Sequence, residues 1–240
     1  MQTPMTSTPA APRDGAPAGA FGLRLAIGVG LILLAALAFG VLAEDVVRGA
    51  AITALDVRLA HWLHARATPG FTRAMLFITY WNGLAGTSVM AALLALWFWR
   101  RSYHEWLALT LLAVPGGMLL NVVLKHVFRR ARPSFDDPLL HIETYSFPSG
   151  HTAAATVFYG LLACWLLTRV SGRPMRALVV LGAAAMVGLV ALSRMYLGVH
   201  YLSDVLAAAL ESCAWLTVCI TAFSALRRRR ALRAPVREDA

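Results

Sequence analysis

Long apolar segments, each bounded by charge, limit what this chain can fold into more than any other feature. Leu23 to Leu42, Leu76 to Trp99, Trp106 to Leu124, the segment entered at His151 and left before Arg169, Ala177 to Leu192, and Val205 to Ala225 carry almost no charge in their interiors. A helix of about 20 apolar residues crosses the ~30 Å hydrocarbon layer of a bilayer, where only helices and closed barrels satisfy their own backbone polar groups. At 240 residues, 59% hydrophobic, 14% charged and mean hydropathy +0.64, the chain is too apolar for a soluble domain. The expected fold is all-α: a polytopic membrane helical bundle of about six transmembrane helices, with Ala and Gly supplying close helix contacts.

The segment boundaries set the expected orientation. Residues 1–20, rich in Pro, Ala, Thr and Gly, read as a disordered cytoplasmic tail, residues 21–226 as the membrane domain, and residues 227–240 as a basic cytoplasmic tail. Arg13 and Arg24 precede the first span, and Glu44 and Asp45 follow it. Arg100, Arg101, Arg169, Arg173, Arg176 and the run Arg227 to Arg230 fall at the ends assigned to the cytoplasm. The first span is read as a retained helix, although Val41-Leu42-Ala43 resembles a signal-peptide cleavage site.

Between the first two spans, Ile52, Leu55, Leu59, Trp62 and Leu63 recur at helical spacing among Asp56, Arg58, His61, His64 and Arg66, the pattern of a helix lying in the outer interface. His61 and His64 have no nearby carboxylate or Cys to complete a metal site and read as solvated interfacial residues. Asn82-Gly83 and Gly86 loosen the second span, and Pro115-Gly116-Gly117 suggests a kink in the third, where Asn121 reads as an interhelical hydrogen bonder. Cys164, Cys213 and Cys219 lack metal-ligand spacing and read as small apolar packers. The net charge of +10 is explained by headgroups and orientation, so no nucleic acid is expected as a partner.

A second group of polar residues gathers at the ends assigned to the outside. Ser146-Phe147-Pro148-Ser149-Gly150-His151 runs into the fourth span as a helix N-terminus, with Ser149 placed to cap and Gly150 to let a ligand approach the backbone. Such an end favours anions. Upstream stand Lys125 and Arg132, and downstream Ser193, Arg194, His200 and Asp204; Arg129 and Arg130 read as headgroup-facing, snorkelling cations. Basic residues on the outer side of a membrane need a reason, and an anionic ligand is one. Lys125, Arg132 and Arg194 could neutralise a phosphoryl group. His200 and Asp204, spaced i, i+4 as on one helix, could orient an imidazole for attack, and His151 could move the proton of the leaving group.

Lys125, Arg132-Pro133, Pro148-Ser149-Gly150-His151, Ser193-Arg194, His200 and Asp204, eleven positions in all, look like the complete signature of the type 2 phosphatidic acid phosphatase superfamily. The resemblance covers roughly Asp45 to Ala225. It implies an integral-membrane, metal-independent phosphatase with no cofactor, acting on a lipid phosphate or diphosphate at the extracytoplasmic face of the inner membrane. The substrate classes it implies are undecaprenyl diphosphate, phosphatidylglycerophosphate and phosphatidic acid. By the same resemblance, His200 is the nucleophile that forms a phosphohistidine and His151 the general acid and base, while Lys125, Arg132, Ser149, Gly150 and Arg194 hold phosphate. An anion transporter or a non-catalytic lipid-phosphate binder is the alternative. Transport would predict charges near mid-membrane, whereas these gather at one interface.

Overall fold

The computed structural model describes residues 18–233, so the tail expected over residues 1–20 falls almost wholly outside it, as do Arg13, Arg237 and the last residues of the basic tail. The described chain is eight helices: α1 (Ala18–Arg48), α2 (Ala51–His64), α3 (Pro69–Trp81), α4 (Leu84–Arg100), α5 (His104–Phe128), α6 (Gly150–Leu167), α7 (Arg173–Tyr196) and α8 (Leu202–Arg233). Five of them are long and apolar enough to cross a membrane, and α3 and α4, bent by 52° at the break between them, are together long and apolar enough to make a sixth. The all-helical membrane bundle expected from the sequence is the fold observed.

Small residues bring the helices together. α6 runs through the middle, packed on α5, α7 and α8, and buries Thr152 through Phe158, a run dominated by Ala and Thr. Its Gly160 lies against Leu216 of α8, while α1 lies along α8 with Gly28 against Thr221. The core on the side away from the polar cluster is Leu109, Ala113, Val114, Val157, Leu161, Leu216 and Cys219. Leu33, Leu34 and Leu37 on α1 and Leu178 and Leu181 on α7 are more than half exposed, as suits a surface facing lipid. Of the cysteines, only Cys219 is a core packer; Cys213 faces outward.

Two loosened stretches take particular forms in the structure. α5 stays helical through Pro115, and the adjacent glycines form a notch for Trp215, whose Nε1 donates to the Ala113 carbonyl at 2.9 Å. The break after Trp81 is a full interruption. Asn82 donates through Nδ2 to the Ile78 carbonyl (2.9 Å) and accepts from Tyr159 Oη (3.0 Å), and a Cβ on Gly86 would collide with the Trp81 carbonyl. Only glycine fits there.

α2 is amphipathic in a different sense from the one expected. Leu55 and Trp62 face outward, while Asp56 is buried along with Ala60 and Leu63. The carboxylate turns inward because Ser203 and Arg130 supply its hydrogen bonds. Nor is His64 simply solvated. Its ring stacks on Phe135 with centroids 4.1 Å apart, and Nε2 lies 2.9 Å from Asp137 Oδ1, a contact that lowers the Asp137 pKa. The 129–149 connection folds back onto α2, so a carboxylate distant in sequence reaches the histidine.

Candidate active site

The end of α5, the start of α6, the end of α7 and the start of α8 meet at one end of the bundle. α5 and α7 run longer than the apolar segments, so Lys125 falls in the last turn of α5, and Ser193 and Arg194 in the last turn of α7. His200 lies in the short connection before α8 rather than on the helix itself. Asp204 sits in the first helical turn, and its Oδ2 accepts the Tyr201 N–H at 2.8 Å, so the carboxylate closes the helix start in the manner of a capping box.

His200 is 2% exposed and held on both sides. Its Nδ1 lies 3.3 Å from Asp204 Oδ2, and its Nε2 lies 3.1 Å from Arg132 Nη1. A guanidinium can only donate, so Nε2 is the acceptor and the ring proton sits on Nδ1, facing the carboxylate. That is the tautomer whose Nε2 lone pair is aimed into the cluster, where Arg132 donates to it. Burial lowers the His200 pKa, to about 3, against the opposing pull of Asp204, so the ring is neutral at physiological pH. Ser146 Oγ also donates to Asp204 Oδ2, fixing that oxygen from a third direction.

Backbone carbonyls position Arg132 and Lys125, and a threonine hydroxyl positions Arg194. Arg132 donates to the Thr144 carbonyl (2.6 Å), Thr144 Oγ1 (2.9 Å), the Tyr145 carbonyl (3.0 Å) and the Val199 carbonyl (2.6 Å), so the only one of its bonds that meets a reactive group is the one to His200. Burial lowers its pKa, with Asp204 acting the other way, and a guanidinium stays charged regardless. Lys125 Nζ donates to the Tyr145 carbonyl at 2.7 Å and the Ser146 carbonyl at 3.3 Å. Arg194, 1% exposed, donates from Nη1 to Thr79 Oγ1 at 2.6 Å, while its Nε and Nη2 have no partner among the described residues. A buried guanidinium with two unpaired donor positions is costly unless an anion completes it.

At the start of α6 some expected roles shift. Ser149 occupies the cap position, yet its side chain makes no capping bond: its Oγ accepts from Thr152 Oγ1 at 3.1 Å, and its N–H is taken by the Asp204 carbonyl at 3.0 Å. The N–H groups of a first helical turn lack partners inside the helix, so those from Gly150 onward keep the character of an anion site. The space beside Gly150 belongs to α5, since a Cβ there would meet Asn121 Oδ1 at 3.2 Å and Lys125 Cε at 3.7 Å. His151 points toward the break between α3 and α4. Its Nε2 would lie 3.1 Å from a Cβ on Gly83, and Arg194, His200, Arg132 and Lys125 are all within electrostatic reach of its ring. A cavity of about 590 Å³ opens beside it, walled by Leu84, Met118, Val122 and Ala154 and floored by Lys125, Gly150 and His151.

Sequence reasoning missed three polar groups. Arg130 does not snorkel: it donates to Asp204 Oδ1 (2.7 Å), Ser203 Oγ (2.7 Å) and Asp56 Oδ2 (2.8 Å), and its guanidinium stacks 4.4 Å from the Tyr201 ring centre. Burial opposes its charge, but Asp204 and Asp56 more than offset this and raise its pKa. Asp56 is the second such group. The third, Glu211 on α8, accepts from Asn121 Nδ2 at 2.6 Å, the interhelical bond expected of Asn121. A lone acid inside the last apolar span was the signal available for Glu211.

The sequence profile of the PAP2 superfamily matches residues 106–228. Phosphatidylglycerophosphatase B of Bacillus subtilis is 39% identical over 115 residues, covering 46% of this chain and 54% of the relative. Decaprenylphosphoryl-5-phosphoribose phosphatase of Mycolicibacterium smegmatis is 41% identical over 101 residues, covering 39% and 49%. The matched region thus spans about half the length of these curated relatives. The crystal structure of a transmembrane PAP2 type phosphatidylglycerolphosphate phosphatase from Bacillus subtilis superposes with a TM-score of 0.68 at 26% identity, over 86% of this chain and 98% of that one. The structure of Aquifex aeolicus LpxE shares the fold, with a TM-score of 0.55 at 21% identity over 69% and 94%. The profile takes in just over half of the 240 residues and contains all three motif segments that meet around His200, and on that ground the chain belongs to the PAP2 superfamily.

Proposed function

We propose that the protein is a membrane lipid phosphatase that hydrolyses a lipid phosphate or diphosphate through a phosphohistidine on His200. The observation that carries this reading is the clamping of the His200 ring, with Asp204 on Nδ1 and the Nε2 lone pair turned toward Arg132. Nε2 attacks phosphorus as the bond to the leaving oxygen breaks, and His151 gives that oxygen its proton. A water then attacks the phosphohistidine and passes its proton to His151, which releases inorganic phosphate and restores both rings. Arg194, Lys125, Arg132 and the first turn of α6, with Ser149 holding that turn against Asp204, stabilise the equatorial oxygens.

The names of the two curated relatives point to lipids carrying a phosphate ester, and the substrate classes we propose are phosphatidylglycerophosphate, phosphatidic acid and undecaprenyl diphosphate. The apolar walls of the 590 Å³ cavity between α4, α5 and α6 suit the first part of a lipid tail entering sideways. Basic residues at the opposite helix ends support a cytoplasmic orientation for those ends and an extracytoplasmic site. The groups surrounding the reacting position are cationic, a donor set that suits a phosphoryl group directly and supports turnover without a divalent metal.

The test is phosphate release from a panel of these lipids by purified protein in chelator, with the phosphoenzyme trapped by denaturation at alkaline pH and then challenged with acid. Wild type should turn over and form an acid-labile phosphoenzyme, and His200→Ala should do neither. His151→Ala should lose roughly 10²- to 10⁴-fold on monoesters and less on a diphosphate, whose leaving group needs less protonation. A phosphoenzyme trapped in His200→Ala would overturn the assignment.

A further inference from the structure

Behind His200, away from the cations that face the reacting position, Asp204 is joined to two further charged groups, Asp56 and Arg130, that the proposed reaction does not use. Asp56 on α2 is 1% exposed, and Ser203 and Asp204 at the start of α8 are fully buried. Asp56 Oδ1 accepts the Ser203 N–H at 3.0 Å, and its Oδ2 accepts from Ser203 Oγ and, at 2.8 Å, from Arg130 Nη2. The other end of the Arg130 fork donates at 2.7 Å to Asp204 Oδ1, the oxygen not turned toward His200. The Arg130 carbonyl meanwhile accepts the Ser146 N–H at 2.8 Å, and Ser146 Oγ donates to Asp204 Oδ2.

We propose that Asp56 and Arg130 are positioning residues for the reaction proposed above. Asp56 fixes the Arg130 fork, the fork locks Asp204, and the interfacial helix α2 thereby sets the orientation of the His200 ring. The inference rests on His200 being the nucleophile. A carboxylate held at one oxygen can pivot. Held at Oδ1 by Arg130 and at Oδ2 by Ser146 and the Tyr201 N–H, Asp204 presents a single lone-pair direction to His200 Nδ1. Charge points the same way. Two buried carboxylates with one guanidinium between them leave one net negative charge behind the imidazole, which stabilises the cation formed when Nε2 bonds to phosphorus. Without Asp56, Arg130 would neutralise Asp204 alone and that charge would vanish. Arginine is needed because its planar fork serves two acceptors at once, whereas an ammonium group is a point charge.

A purely structural role for Asp56, closing the first turn of α8 from another helix, predicts lost stability without a specific kinetic defect. Asp56→Asn keeps the shape and an acceptor for the Ser203 N–H while removing the charge. It should lower kcat about ten- to a hundredfold with KM within about twofold, and slow phosphoenzyme formation equally, in protein whose thermal unfolding is cooperative. Arg130→Lys, which keeps the charge and loses the fork, should show the same split. Arg130→Gln, which strands two carboxylates, should be worse, and Asp56→Asn in that background should restore part of the lost kcat. Wild-type kcat in either Asp56→Asn or Arg130→Lys, or losses that simply multiply in the Asp56→Asn/Arg130→Gln double variant, would overturn the relay. His200→Ala separates the two levels. If it retains turnover, the reading of the site fails; if it is dead while Asp56→Asn is fully active, only the relay fails.

Discussion

Gly83 offers a sharp test of the role given to His151, because a Cβ added there would meet that ring first. Its backbone, at φ −77° and ψ −178°, is open to any residue, so Gly83→Ala introduces no backbone strain. The new Cβ would instead lie 3.1 Å from His151 Nε2, with the Thr79 and Tyr80 carbonyl oxygens at 3.4 and 3.5 Å. Comfortable contact begins at about 3.5 Å, so the ring must withdraw by roughly 0.4 Å. A misplacement of about 1 Å in a reacting group costs on the order of 10²-fold, and scaling the logarithm with distance gives a loss of about four- to tenfold in kcat for Gly83→Ala. Alanine in place of glycine at the cap of α4 should cost stability by no more than about 1 kcal/mol.

The assay is kcat on lipid phosphates whose leaving groups differ in pKa, in wild type, Gly83→Ala, His151→Ala and the double variant. If the alanine acts by moving the proton donor, the loss grows as the leaving group becomes more basic. It should shrink to less than about twofold in the His151→Ala background, where the space is free. An equal loss in both backgrounds would refute the argument, because Gly83 would then be acting on something other than His151.

Arg194→Lys should lower kcat/KM by roughly 10²-fold and weaken vanadate inhibition in parallel, since an ammonium cannot present the two donor positions that Nε and Nη2 leave unpaired; undiminished vanadate affinity would exclude Arg194 from the phosphate site. Single cysteines in a background lacking Cys164, Cys213 and Cys219 should be labelled from the cytoplasm at Ser171 and Arg230 and from outside at Asp136; labelling of Asp136→Cys from the cytoplasm alone would reverse the orientation.

The fold was legible because each span is long and each boundary is charged, and the residues we propose to hold phosphate were legible because cations gathered at the ends of apolar segments stand out. What stayed hidden was pairing at long range. Arg130 sits beside Arg129 and Arg132 in one basic run, and nothing local separates the exposed Arg129 from an Arg130 that reaches α2 and α8. Asp56 shared a helix pattern with Arg58 and Arg66, so its burial became visible only with Ser203 beside it. The spacing of His200 and Asp204 suggested one helix turn. The chain instead starts α8 between them, and Asp204 reaches back over the helix start. Ser149 looked like a cap because the residue type fits, but the Asp204 carbonyl had already fixed its backbone.

The two sides of His200 follow opposite electrostatic rules, and the difference explains why one side could be read from sequence. Behind the ring, Asp204, Arg130, Asp56, Ser203 and Ser146 satisfy one another almost completely, as buried charges must if the fold is to carry them. In front, Lys125, Arg132 and Arg194 bring three cations together with no direct ion pair to a carboxylate among the described residues, held by neutral carbonyls and Thr79. Such a cluster repels itself and costs stability, which a chain selected for stability alone would shed. On the proposed reading it persists because the layer behind it is hydrogen-bonded throughout, which holds the cations around the place where an anion would bind. Locally unfavourable residues were therefore the visible signal of function, while the residues that hold them in place look ordinary until the fold brings their partners alongside.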